Sequence, residues 1–205
     1  MPMPVELRPG LWRWSAPHPQ WHASEDDGTP TAWPREVGCV LYTTPSSAVF
    51  VDPLVPAQDA AAFWRWADER CAGREVSVLE TIAYHRRSRD EVIAHYTART
   101  DVPAAVSAHP LPAVRETVYW IPEHRALVPG DSLIAAPGGD LALCPQSWLD
   151  ELGPPGTAPP TQADLRAALL PLCELHAQLV LVSHGEPALD GAGAALARAL
   201  ALPAT

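Results

Sequence analysis

Apolar residues along the chain come in short runs of period two, interrupted by segments whose apolar positions have helical spacing. Near the N-terminus, "ELRPGLWRWSA" sets Leu11 beside Trp12 and Trp14, the alternation of a half-buried strand. Residues 17–36, "PHPQWHASEDDGTPTAWPRE", have no period and are rich in Pro, Asp and Gly, which predicts a long loop. "VGCVLYTT" and "SAVFVDPL" predict two strands of a hairpin turning at Pro45 and Ser46. Pro56 then opens, and Gly73 closes, a helix with Phe63, Ala67 and Cys71 on one face. In that helix Trp64 and Trp66 cannot face the same side, so one of them is expected to mark a contact surface. A strand over 75–82 and a helix over 88–100 follow, then short strands at 103–110, 116–122, 127–134 and 140–144. The remainder reads as a helix over 162–177 capped by Thr161 and broken at Pro171, a strand over 178–185 and a helix over 191–202. This order suits an α/β architecture of two mixed β-sheets flanked by helices, in a single domain over 1–205.

Charge narrows the partners. With 14 basic against 24 acidic residues, a formal net of −10, the surface repels phosphate backbones and anionic membranes, and nucleic acid is not an expected partner. All the basic residues are Arg, which reflects background composition. No apolar run reaches the length of a membrane span, and "MPMPVELRPG" lacks the layout of a signal peptide, so a cytoplasmic location is expected. Cys39, Cys71, Cys144 and Cys173 are far apart and form no CxxC pair, which fits buried thiols in a reducing compartment.

The candidate chemistry lies where apolar strands end, as it usually does in α/β proteins. Four such ends carry a metal-capable or acidic residue: "VFVDP" (Asp52), "VSAHP" (His109), "VPGDSL" (Asp131) and "LVSHGEP" (His184). His109, Asp131 and His184 make three candidate zinc ligands with a fourth position open for water. Asp52 reads instead as a turn carboxylate bonded to nearby backbone N–H groups. In order and context these stretches resemble the metallo-β-lactamase superfamily. The resemblance implies a metallo-β-lactamase-like αββα sandwich whose strand ends hold one or two metal ions, with Asp131 in the place of the metal-bridging aspartate and His184 in that of the last ligand. It also implies hydrolysis of a small-molecule ester, thioester, lactone or amide.

"TIAYHRRSRDE" (81–91) falls where that family carries HxHxDH. Aligned from Thr81, the ligand positions hold Ile82, Tyr84, Arg86 and Arg87; moved by one residue, they hold Ala83, His85, Arg87 and Ser88. Neither register restores two metals, which leaves His109, Asp131 and His184 with His85 as a candidate fourth ligand. Ser88 and Glu91 fit a capping box, with Asp90 in the first turn of the helix. Arg86 and Arg87 are either solvated or supply a guanidinium that takes the metal's place beside Asp131. Trp21 and Trp33, with His18 and His22, either cover a cleft or pin their loop to the core, and His18 or His22 is a candidate additional ligand. His95, His124 and His176 read as surface residues. Two functions remain open. One is a hydrolase with a single zinc ion, His85 or Tyr84 assisting proton transfer or oxyanion stabilisation near Asp131. The other is a non-catalytic protein that binds a small molecule or a protein partner in the same cleft, and the loss of HxHxDH tips the balance toward a site without metal.

Overall fold

The computed structural model describes residues 4–22 and 33–201, so 23–32 of the predicted long loop and the last residue of the predicted terminal helix lie outside the described residues. Among the described residues, one sheet runs in the order β1 (Val5–Arg8), β2 (Leu11–Pro17), β3 (Glu36–Thr43), β4 (Ser47–Val51), β5 (Glu75–Leu79). Its pairs are antiparallel except β4 with β5, which the helix α1 (Ala60–Cys71) connects as a parallel crossover. A second sheet has the order β11 (Leu179–Val180), β8 (Ala126–Val128), β7 (Glu116–Ile121), β6 (Ser107–Leu111), and β9 (Leu133–Ala136) pairs with β10 (Asp140–Leu143) as a separate ribbon. The remaining helices are α2 (Arg89–Tyr96), α3 (Gln146–Leu152), α4 (Gln162–Leu169) and α5 (Ala192–Leu200).

Period-two alternation sorts the strand residues into three apolar layers. On β3 and β4, Val40, Tyr42, Val49 and Val51 point between the sheets, while Cys39, Leu41, Ala48 and Phe50 point to the opposite face. That outer face packs on Phe63, Trp66, Ala67 and Cys71 of α1 and on Val92 of α2. On β7, Tyr119 and Ile121 join the middle layer, and Val118 and Trp120 the layer beneath α3, α4 and α5. Helices, two sheets and helices thus stack as an αββα sandwich. In the outer layer Trp14 lies 5.2 Å from Phe63 and 5.9 Å from Trp66, and its indole N–H donates to Leu54 O at 2.9 Å. Full burial of side chains of this size is worth roughly 1.5–3 kcal/mol each.

Several local expectations are revised. The first strand is a hairpin of β1 and β2 turning at Gly10, whose positive φ suits the left-handed turn. The helix after residue 88 stops at Tyr96, because Thr97 turns left-handed and Arg99 bridges to Ser77 beside β5. Ser88 is the residue before that helix but makes no side-chain cap; its hydroxyl accepts instead from Val55 N–H at 3.0 Å. Trp64 marks no bare surface, since His95 of α2 stacks on it at 4.2 Å. His124 is buried, not superficial. Thr161 does cap α4, in a reciprocal box with Asp164, and Pro171 converts the end of that helix to a 3₁₀ segment over Leu170–Leu175. No helix of the described residues is long and apolar enough to cross a membrane.

Close backbone approach seats the segment after β11. Gly38 N–H donates to Ser183 O at 2.7 Å, and Val37 bridges antiparallel to His184. A Cβ at Gly38 would stand 2.7 Å from Val182 O and 2.8 Å from an Arg13 terminal nitrogen. Gly38→Ala should therefore cost roughly 1–3 kcal/mol as an overpacking change. Urea unfolding measures it, and an unchanged midpoint would show that the two segments do not meet.

Candidate active site

Four chain turns at strand C-termini converge: Asp52 after β4, Thr81 and His85 after β5, Asp131 after β8 and His184 after β11. Asp52 takes Thr81 N–H on Oδ1 at 2.8 Å and the Thr81 hydroxyl on Oδ2 at 2.5 Å. His85 Nδ1 stands 2.9 Å from the same Oδ2, and its Nε2 stands 3.0 Å from Asp131 Oδ1. That oxygen also takes His184 Nε2 at 3.1 Å. The result is a buried chain, Asp52–His85–Asp131–His184, with every member under one-tenth exposed. The ligand-type atoms of His85, Asp131 and His184 all lie within 4.8 Å of one another.

Electrostatics follow from this order. Burial and then the Arg87 charge push the His85 imidazole down, but the carboxylates of Asp131 and Asp52 outweigh them and lift it to about 9. With a carboxylate at each nitrogen, both nitrogens donate and the ring is an imidazolium at neutral pH. Burial alone would raise Asp131, yet the His85 charge and the bonds from His184 and His85 hold it well below the usual carboxylate range. His184 is lowered by burial against the pull of Asp131, so it stays neutral with its proton on Nε2. The rings of Trp33 and Trp148 meet the His184 ring edge-on at 5.8 and 5.1 Å.

His85, Asp131 and His184 form the floor of a cavity of about 300 Å³, with Asp52 behind it. Its walls include Val37, Trp33, Trp148 and Leu152, with His18, Arg87, Glu151 and Tyr84 contributing polar groups. Tyr84 is 57% exposed, so it belongs to the rim.

The sequence-derived candidates separate clearly. Asp131 and His184 meet as expected, and His85 joins them as a central member. His109 does not: it lies mid-strand on β6 opposite Val118, half-buried, and is absent from the convergent group. The reason is topological, because β6 is the strand farthest from β11, whereas Asp131 and His184 follow the neighbouring strands β8 and β11. Asp52 does bond a backbone N–H, but it belongs to the site as well as to its turn. Neither arginine pairs with Asp131. Arg86 is exposed and forks onto Asp90 at 2.8 and 3.1 Å. Arg87 turns inward and donates to Gly38 O at 2.9 Å, Asp52 O at 3.1 Å and the Ser183 hydroxyl at 2.6 Å. Trp33 lines the cavity; Trp21 does not, and instead donates its indole N–H to Trp33 O at 3.1 Å. His22 is exposed.

Solved structures of metallo-β-lactamases share its architecture. DIM-1 metallo-β-lactamase aligns with a TM-score of 0.57 at 14% identity, over 97% of this chain and 96% of that chain. A metallo-β-lactamase from Erythrobacter litoralis aligns at 0.57 and 13% identity, over 96% and 89%. One from Pontibacter korlensis gives 0.56 and 13%, over 96% and 97%. The fold is that of the metallo-β-lactamases. At such identities the likeness carries the fold alone, and chemistry has to be argued from the residues. Neither a protein-family model nor a curated protein matches the sequence.

One site residue escaped the reading of the sequence. Glu116 is 2% exposed and clamps the turn that presents Asp131, accepting Gly130 N–H at 2.9 Å, Ser132 N–H at 2.8 Å and the Ser132 hydroxyl at 2.5 Å. Its signal was parity, for Glu116 shares a strand face with the apolar Val118 and Trp120. Burial, opposed by the Ser132 hydrogen bonds and aided by the Asp131 charge, pushes its carboxyl up to about 7. Because this lies above the ordinary 4.5, folding favours the protonated form. The contribution is complete below the unfolded-state value and is lost as pH rises through about 7. The stability difference between wild type and Glu116→Gln should therefore shift by about 3 kcal/mol between acid and mildly alkaline solution. Urea titrations at both ends check it; a pH-independent difference would mean that Glu116 keeps its ordinary ionisation.

Proposed function

We propose that the protein is a hydrolase that holds one divalent metal ion, of which zinc is the natural candidate, through His85 Nε2, Asp131 Oδ1 and His184 Nε2, and that it cleaves a small ester, thioester, lactone or amide. The observation that carries this reading is the convergence of those three atoms at the floor of a cavity. Two imidazoles and a carboxylate are a donor set of open catalytic zinc sites. The fit extends behind His85, where Asp52 takes the far ring nitrogen, as carboxylates do behind metal-bound histidines. His184 lacks such a partner, since its Nδ1 is buried without one among the described residues. Its main chain is fixed on two sides, Val37 bridging to it and its carbonyl accepting from Ala135 N–H at 3.0 Å, and its ring is met edge-on by Trp33 and Trp148.

When bound, such an ion lowers the pKa of a coordinated water and polarises a carbonyl oxygen. The chain supplies the rest. His85 must surrender the Nε2 proton it shares with Asp131, and Asp52 keeps the Nδ1 proton in place, so the ring coordinates in one tautomer. Val37, Trp33, Trp148 and Leu152 give the substrate's apolar body a surface and keep bulk water from the floor.

A second reading draws on a specific observation: His85, flanked by Asp52 and Asp131, already brings a positive charge to Asp131 without an ion. The cleft would then bind a small molecule or protein partner without catalysis. Metal analysis separates the two readings. Protein purified without chelators should carry or take up close to one equivalent of Zn²⁺. Asp52→Asn should weaken its uptake about 10–100-fold, the usual effect of losing an outer-shell carboxylate, whereas His109→Ala should leave it unchanged. Retention of less than about a tenth of an equivalent, with no uptake on titration, would hand the site to the second reading.

A further inference from the structure

We propose that His18 is a catalytic residue of this site, its Nε2–H donating to the carbonyl oxygen of a bound ester or thioester and to the oxyanion formed from it. The inference rests on the hydrolase reading above.

The geometry assigns the tautomer. Gln20 N–H donates to His18 Nδ1 at 3.3 Å, so that nitrogen is the bare acceptor and the ring proton sits on Nε2. A metal would need a lone pair on the nitrogen that faces away from Gln20, and that nitrogen carries the proton. On this proposal His18 is a donor and not a ligand that completes a metal shell. The main chain of His18 is fixed, its N–H donating to Arg35 O at 2.9 Å and its O accepting from Trp21 N–H at 3.1 Å, and Trp33 meets the ring edge-on at 5.1 Å. Among the described residues Nε2 has no hydrogen-bond partner, although His18 lines the cavity that His85, Asp131 and His184 floor.

Most other strong donors near the floor are committed, the exception being Arg87 Nε, which is buried without a partner among the described residues. Both nitrogens of His85 face carboxylates, and both terminal nitrogens of Arg87 are bonded to Gly38 O, Asp52 O and the Ser183 hydroxyl. His184 spends its Nε2 on Asp131. His18 is left as the imidazole with a proton to offer. Burial, and then the Arg87 charge, keep it neutral by pushing it down to about 4. A neutral donor suits this step, because it stabilises the oxyanion without transferring its own proton.

The reaction balances without further reagents. Water adds to the carbonyl carbon, forming the new C–O bond, and the carbonyl π pair moves onto the oxygen that accepts from His18. Collapse re-forms the carbonyl and breaks the C–O or C–S bond, and the proton released by the water goes to the departing alkoxide or thiolate.

Two measurements on the full chain test the proposal. Nitrogen-15 spectra of the histidine rings should show His18 protonated on Nε2 and bare on Nδ1, unaltered by Zn²⁺. The opposite tautomer, or loss of the Nε2 proton when Zn²⁺ is added, overturns the proposal in favour of a base or a ligand. With p-nitrophenyl acetate and an acyl thioester as probes, His18→Ala should lower kcat about 10²-fold, the usual effect of removing one oxyanion donor, with KM and bound Zn²⁺ unchanged. His18→Gln, which keeps an N–H donor, should recover part of the loss. Wild-type turnover in the alanine variant overturns the role of His18 alone. A wild type inert toward both probes overturns the hydrolase reading and this role together, so the two failures are distinguishable.

Discussion

The site depends on one oxygen. Asp131 Oδ1 receives His85 Nε2 and His184 Nε2 at 3.0 and 3.1 Å in a region nearly closed to solvent. An ionised carboxylate so placed costs several kcal/mol unless charge and hydrogen bonds compensate it. Both readings of the function answer that constraint, one with an external cation and one with the imidazolium of His85. Asp52 makes the second answer available, because it supplies the other carboxylate that holds a proton on the far side of the ring. Asp52, His85 and Asp131 alternate in sign along the chain, with neutral His184 donating at its end, and low local dielectric strengthens each link while penalising the removal of any one.

Holding that oxygen in place takes backbone from both sheets. Glu116, at the start of β7, fixes the Gly130–Ser132 turn, and its neighbour Thr117 donates to Thr81 O at 2.7 Å. Thr81 in turn grips Asp52 through its amide and its hydroxyl, so one strand end steadies both carboxylates that flank His85. Across the sandwich, Arg87 links Gly38 of the first sheet to Ser183 beyond β11, and Arg13 donates to Gly185 O at 2.7 Å. Asp52 and Arg87 both take positive φ, of 49° and 38°. Left-handed backbone at two non-glycine residues in one site is strain that the surrounding contacts must hold, as functional sites often do.

Much of the fold was legible because it rests on alternation. Val49 and Val51 against Ala48 and Phe50, or Tyr119 against Trp120, can be assigned to faces by parity alone. Strand ends were legible for the same reason, and with them Asp52, Asp131 and His184. His109 misled because a His-Pro pair looks like the end of a strand, and sequence does not reveal that β6 takes the outer position in its sheet. Glu116 was missed because a carboxylate opening an apolar strand is ordinarily solvated, and only the turn around Asp131 supplies donors for a buried one. The capping role of Ser88 failed in a similar way: a nonlocal partner, Val55 N–H, captured the hydroxyl that the local pattern assigned to the helix.

The segment 84–87 sends its two inward positive groups to different partners. Its residues alternate: Tyr84 and Arg86 are exposed, while His85 is buried and Arg87 turns into the cavity wall. The turn begins in a short 3₁₀ segment, Ala83–His85, and Arg87 adopts left-handed backbone, so the two inward residues reach different partners. His85 goes between two carboxylates, and Arg87 goes to carbonyl oxygens and a hydroxyl. The two positive groups are therefore not interchangeable. A guanidinium beside Asp131 would be a fixed charge that no metal could displace, whereas an imidazolium can give up its proton and become a ligand. On the hydrolase reading, placing the histidine, not the arginine, against Asp131 is what would let the site trade a proton for a metal ion. That exchange is the chemical property on which the hydrolase reading stands.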